Sequence, residues 1–158
     1  MRVRVIPVLH NTSSVQRLLD FARLVAGLGL GELVVTKAYG AAAQHGLGEL
    51  GRLAYKNNMN LVILPDLGDA IDLLKPENVL IVTRRGEPEA FDPLAPPHLE
   101  GRILVAFNGG DPDFGEAEIG MGKPIYPPGV QGRLGPAAEA ALVLYPLLRS
   151  VGRVEEGG

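Results

Sequence analysis

The sequence predicts a single α/β domain, a parallel sheet with helices on both faces. Three observations carry this. Short apolar runs alternate along the chain with longer stretches of helical period, the signature of strands joined by right-handed helical crossovers. Ile103 to Phe107 is apolar without alternation, as a parallel strand covered on both faces requires. Asn108, Gly109 and Gly110 follow it directly, at the strand end where open sheets of this class meet their ligands.

Taken in order, Arg2 to Leu9 reads as the first strand and His10 to Ser14 as the loop after it, with Thr12, Ser13 or Ser14 available as N-cap. The helix that follows runs to about Gly27. Val15, Leu18, Leu19, Ala22 and Val25 recur at helical spacing and face the sheet, while Arg17, Asp20 and Arg23 form a polar arc. After a Gly-Leu-Gly stop, Leu33 to Thr36 forms a second strand. Residues 37 to 47 make a partly helical connection, and Gly48 to Asn58 a second helix. Leu61 to Leu64 is a short third strand broken by Pro65 and Asp66. Leu67 to Leu74 is a helix ended by Lys75-Pro76, because the residue before proline avoids the helical region. Val79 to Thr83 is the fourth strand.

From Arg84 the composition turns to charge and proline, predicting a surface excursion over about 84–100 within one domain spanning 1–158. After Ile103 to Phe107 come a glycine-rich loop, a short strand at Pro124 to Pro127, and a turn stiffened by Pro127, Pro128 and Gly129. Pro136 suits the first turn of an alanine-rich helix, where its missing donor costs little. Pro146 is expected to kink or end that helix, and the tail of about 152–158 to fray.

With 158 residues the chain is long enough for a full core. Its net charge of -3 argues against a protein that coats nucleic acid nonspecifically. A local basic face from Arg17, Arg23, Lys37, Arg52, Lys56, Arg84, Arg85 and Arg133 remains open, as does plain solvated surface charge. Absence of cysteine rules out disulfides and thiolate metal sites and fits a cytoplasmic location. Neither a signal peptide nor a membrane span is predicted.

The stretch GRILVAFNGGDPDFGEAEIGMGKPIYPPGVQGRLGPAAEAALVLY resembles the C-terminal half of the SPOUT superfamily of RNA methyltransferases, particularly its SpoU-type ribose 2'-O-methylating branch. Leu134, Ala140, Ala141, Leu142, Leu144 and Tyr145 fall in register with that branch's final helix. Arg133 stands at its serine and Gly135 at its asparagine, and Asp111 lies roughly where its glutamate is expected. HNTSSVQRLLDFARLVAGLGLGELVVT resembles its opening motif: Asn11 matches the asparagine, and Asp20 falls at the arginine position with Arg17 and Arg23 one turn to either side.

The resemblance implies a C-terminal trefoil knot, bound S-adenosylmethionine, an RNA substrate (tRNA or rRNA) and a homodimer. It implies cofactor-binding positions at Thr83, Phe107, Asn108, Gly109, Gly110, Ile125, Tyr126, Pro127, Gly132 and Leu134. Catalytic candidates are Asn11, Arg17, Asp20 and Arg23, against a solvated helical face for the last three. Arginine is effectively always protonated, so Asp20 is the direct proton acceptor among them. RNA-contact candidates are His10, Lys37, His45 and Arg133, with His10 equally suited to a strand-end hydrogen bond and His45 to an exposed loop. Two alternatives stand beside this reading. One is a cofactor- or RNA-binding module that does not catalyse. The other is a RecB-type nuclease using magnesium at Asp111, Asp113, Glu116 and Glu118, although the glutamate-any residue-lysine element of such nucleases occurs nowhere in the chain; no metal site is assigned.

Overall fold

A computed structural model describes residues 3–151. Arg2 and the tail of 152–158 lie outside the described residues. Seven strands form one sheet in the order β3-β2-β1-β6-β4-β7-β5, with every adjacent pair parallel. The strands are β1 (Val3–Thr12), β2 (Glu32–Ala38), β3 (Asn60–Leu64), β4 (Asn78–Val82), β5 (Glu89–Ala90), β6 (Gly101–Asn108) and β7 (Lys123–Tyr126). The helices are α1 (Val15–Gly27), α2 (Leu47–Lys56), α3 (Leu67–Leu74), α4 (Glu116–Ile119) and α5 (Pro136–Ser150).

Alternation along the central strands splits the apolar side chains into two layers. Val5 and Leu9 of β1 with Ile103, Val105 and Phe107 of β6 point toward α1, α2 and α5. Ile6 and Val8 with Leu104 and Ala106 point the other way, to Leu67 and Ala70 of α3, Phe114, and Ile119 of α4. Helices thus cover both faces, so the central strands carry little polar alternation. Pro7 is tolerated in β1 because the ladder with β2 starts only at Val8.

Several expectations change. β1 continues through Thr12, so His10, Asn11 and Thr12 are strand, and Ser14 alone caps α1, accepting from Arg17 N–H at 3.1 Å. The extension includes a step in which Asn11 (φ 64°) and Lys37 (φ 52°) both enter the left-handed region, between the paired positions His10 with Thr36 and Thr12 with Ala38. The connection after β2 contains a π-helical turn at Ala42–Gly46. The excursion of 84–100 is anchored: it contributes β5, and Phe91 is buried in the core with Leu99 packed against it. Pro146 lies inside α5, which continues to Ser150 among the buried Leu144, Leu147 and Leu148.

β7 sits between β4 and β5, although these two strands are consecutive in the chain. The connection from β4 passes on the α4 side, where Gly86 lies against Ile119. The return to β6 runs on the opposite face, through Phe91 and Leu99. Among the described residues no helix is long and apolar enough to cross a membrane.

Candidate functional site

The strand order reverses between β1 and β6: from β1 the sheet grows through β2 to β3 on one side and through β6 on the other. Ligand clefts of open α/β sheets form at such a point. A cleft of about 490 Å³ opens here, lined by Arg17 and Asp20 of α1, Gly110 and Asp111 after β6, and Arg133 to Ala138 at the start of α5. Its volume falls within the ~300–1,000 Å³ common for small-molecule sites.

The loop after β6 is held close to β1. A Cβ on Gly109 would lie 2.7 Å from Thr12 Cβ, which leaves room only for glycine. Asn108, itself buried, accepts from Gly110 N–H (2.8 Å) and from Asn11 Nδ2 (3.4 Å), and donates to Pro112 O (3.2 Å). Arg17 then reaches across from α1, donating through Nη1 to Gly109 O (2.9 Å) and pairing through Nη2 with Asp111 (3.1 Å). Asp111 is 90% exposed, so this pair is a weak restraint that leaves the guanidinium available to a ligand. Asp20 accepts from Gln16 (2.8 Å) and from Arg23 (3.3 Å).

Behind the cleft lies a buried polar network. Glu139 of α5 is fully buried and accepts from Tyr126 O–H (2.5 Å), Leu134 N–H (3.2 Å) and the Arg133 guanidinium (Nε at 2.9 Å, Nη2 at 3.2 Å). Arg133 Nη2 also donates to Asn108 O at 3.0 Å. Burial works against the charge on Arg133, but the hydrogen bond and charge of Glu139 outweigh it and its pKa is raised. Burial, assisted by the Glu139 carboxylate, likewise raises the Tyr126 phenol above its usual range.

Asp113 joins the loop after β4 to the loop after β6. It accepts from Thr83 Oγ1 (2.9 Å), Arg84 N–H (3.0 Å) and Phe114 N–H (2.7 Å). Arg84 crosses to the loop after β7, with its guanidinium 5.6 Å from the centre of the Tyr126 ring and Nη1 donating to Val130 O at 2.6 Å. Beside it is a slot of about 240 Å³ walled by Pro88, Ala90, Tyr126, Pro127 and Pro128.

The structure therefore brings together Arg17, Asp20, Gly110, Arg133 and Leu134 in the cleft, with Asn11, Asn108 and Gly109 directly behind it. Tyr126 and Pro127 line the slot, whereas Thr83 and Ile125 are buried, joined by the bond from Thr83 N–H to Ile125 O at 3.0 Å. Gly132 O lies 3.0 Å from the Tyr126 hydroxyl. Arg23 stands on the exposed side of α1, paired with Asp20. Two positions need correction. Phe107 is a core side chain packed on Phe21, with ring centres 5.5 Å apart, because β6 buries both its faces. His10 is only 3% exposed, stacked on Phe114 (5.7 Å) with Nδ1 2.7 Å from Thr36 Oγ1, so the continuation of β1 withdraws it from RNA contact. Lys37 and His45 are exposed. Sequence reasoning missed Glu139 as a polar centre; its signal was one carboxylate in an otherwise apolar helix. Two of the four acidic residues after β6 are occupied internally, Asp113 as above and Glu118 accepting from Gly115 N–H at 3.0 Å, while Asp111 and Glu116 are exposed. Among the described residues no group of three or more His, Asp or Glu side chains could hold a metal ion.

Comparison with solved structures places the fold. A crystal structure from Bacillus anthracis, described as a conjectured RNA methyltransferase, superposes with a TM-score of 0.72 at 18% identity, covering 92% of this chain and 93% of that one. The SpoU methyltransferase AviRb from Streptomyces viridochromogenes, in complex with AdoMet, gives 0.70 at 16% identity, covering 98% and 62%. A structure described as giving insight into 2-OH methylation of C/U34 on tRNA gives 0.66 at 19%, covering 97% of each. The parallel α/β domain thus matches SPOUT methyltransferase folds.

Sequence relatives carry a different name. A protein of Aeropyrum pernix, named as a conjectured type II restriction enzyme, is 53% identical over 152 residues, 96% of this chain and 97% of its own. One of Methanocaldococcus jannaschii with the same kind of name is 31% identical over 148 residues, 90% and 95%. The profile of the family described as RecB-family nuclease (DUF2122) matches residues 40–146, and the chain belongs to that family.

Proposed function

We propose that this protein is an S-adenosylmethionine-dependent RNA methyltransferase that favours a ribose 2'-oxygen, working as a homodimer. The observation that carries the reading is the placement of Arg17 against Gly109 and Asp111, at the reversal point of the sheet and in a cleft walled by the start of α5. The fold of the superposed RNA methyltransferases supports the same reading.

The residues present fit the cofactor on two counts. The slot beside Tyr126, Pro127 and Pro128 has apolar walls, an aromatic ring and a size suited to a purine. Between slot and cleft, Arg133 Nη1 is a buried donor without a hydrogen-bond partner, a kind of group that native structures seldom leave unused. Thr83, Ile125, Tyr126, Pro127, Gly132 and Leu134 would hold the nucleoside, and Asn108, Gly109 and Gly110 would border the remainder. When bound, the cofactor supplies an electrophilic methyl group.

The chain's own residues would do the rest. Arg17, always cationic, orients an anionic or hydroxyl-bearing part of the RNA and stabilises developing alkoxide charge. Asp20, in the same cleft, accepts the hydroxyl proton. Asn11 fixes the loop after β6 through Asn108, and Arg23 positions Asp20. Lys37 and His45 lie on the exposed surface available to RNA. Dimer formation would cover the outward side of α5, where Tyr145 is exposed, and Leu134 at the cleft edge. We also assign the trefoil threading here: the segment from β4 round through β5 to β6 rings β7 on both faces.

Transfer of labelled methyl groups to cellular RNA tests the proposal. Arg17→Ala is expected to lower transfer by about 100-fold or more while cofactor affinity changes by less than about threefold. Unchanged transfer would remove Arg17 from the mechanism, and cofactor binding without transfer by the wild type would leave a non-catalytic module. The family description and the relatives' names favour a nuclease as the second reading. Magnesium-dependent cutting of single- or double-stranded DNA or RNA by the purified chain would replace the methyltransferase reading.

A further inference from the structure

We propose that Arg133 recognises the carboxylate at the amino-acid end of the cofactor, a role that the serine of the resembling family cannot perform as an ion pair. The inference rests on the reading above and deepens it. Arg133 spends Nε and Nη2 on Glu139 and Asn108 O, which leaves Nη1. That nitrogen is buried and makes no hydrogen bond; it has only a long ion pair with Asp113 Oδ1, at 3.7 Å. Asp113 is held in place by three other bonds, from Thr83, Arg84 N–H and Phe114 N–H, which keep it from turning closer to the guanidinium.

Stability alone gives little reason for this arrangement. Replacing a buried ion pair by apolar side chains of similar volume is often neutral or stabilising. Here a fully buried carboxylate is held by Tyr126, Leu134 N–H and Arg133 together, and the effect of that scaffold is to fix one guanidinium with its Nη1 nitrogen unspent. The place is apt. Arg84, which borders the slot, contacts Asp113 through its backbone, and Arg133, which borders the cleft, faces Asp113 from the other side. Asp113 thus links a residue of the slot to a residue of the cleft, and a ligand with its purine in the slot and its reactive end in the cleft is taken to lie along this link.

The charge balance permits an anion. Arg17, Arg84, Arg133 and Arg23, the partner of Asp20, face Asp20, Asp111, Asp113 and Glu139, an even count, and the first turn of α5 adds the positive end of a helix dipole. Among the parts of the cofactor, only the carboxylate combines negative charge with acceptor oxygens that match a guanidinium.

Calorimetry with two product-like ligands tests this without turnover. S-adenosylhomocysteine carries the amino-acid end, and 5'-methylthioadenosine lacks it. The wild type is expected to bind the first at least about tenfold more tightly than the second, as a charge-assisted hydrogen bond predicts. Arg133→Lys should shrink that ratio to within about threefold while leaving methylthioadenosine affinity unchanged. Because a lone Glu139 could unfold the chain, the double variant Arg133→Ser with Glu139→Gln removes both charges, and its ratio is expected to approach unity with the fold checked by circular dichroism. An unchanged ratio in the folded double variant, or equal loss for both ligands, would overturn the proposal and leave Arg133 a structural residue whose spare N–H meets water. Equal wild-type affinity for the two ligands would overturn this inference alone. Binding of neither would overturn the methyltransferase reading with it.

Discussion

His10 occupies the end of β1, between Thr36 and the ring of Phe114, with almost no access to water. Burial, the largest influence, holds its pKa below the ordinary 6.5; Glu118 and Asp66 pull it up and Lys37 pushes it down. An unfolded chain therefore takes up a proton at a pH where the folded one does not. The stability from neutral His10 is present above about pH 6.5 and is lost as the pH falls below it. Thermal melts at about pH 7.5 and about pH 5.5 should show a lower midpoint in acid, and His10→Asn should flatten the difference; an unchanged difference would assign it to other groups. Such environments were illegible in the sequence because partners come from distant segments. Arg17 bonds to Gly109 across 92 positions of chain, and Glu139 is satisfied by Tyr126 and Arg133 from a strand and a loop. The polar arc of α1 was readable from its period; which of its arginines meets the cleft required the tertiary fold.

β7 is only four residues long, yet it separates β4 from β5 and carries Tyr126 into the slot. Its entry is tight: a Cβ on Gly122 would meet Val79 Cγ1 at 2.6 Å and Val79 O at 2.7 Å. Backbone cannot yield as a flexible side chain can. Gly122→Ala is expected to cost about 1–3 kcal/mol, read as a lower urea midpoint with unchanged slope; a wild-type midpoint would mean that β7 enters differently. Long elements were legible because periodic burial writes itself into sequence: α1, α3 and α5, and the apolar runs of β1, β2, β4 and β6. β5, only two exposed residues long, and α4, only four residues long, are too short to impose a period. The π-helical turn at Ala42–Gly46 gave no compositional signal apart from small residues. The persistence of α5 past Pro146 reflects buried neighbours that override local preference.

At the scale of the whole molecule, α5 packs one side on α1 and the sheet, and turns Tyr145 outward. The proposed homodimer predicts sedimentation at twice the chain mass, and Tyr145→Glu is expected to shift the species toward monomer; a wild-type monomer at all concentrations would dismiss the assembly. The fold class was readable from alternating elements, whereas the strand order was not, since nothing local says that a late strand enters between two earlier ones. That order bears on how the molecule is made. Synthesis delivers the amino-terminal strands first, so β4 and β6 can pair before the strand that lies on the far side of β4 is in place. β5 pairs with β7, so the edge of the sheet beyond β4 waits on β7, and pairing across such sequence distances is intrinsically slow. Because Tyr126 is carried on β7 itself, the slot has no aromatic wall until that strand has entered beside β4.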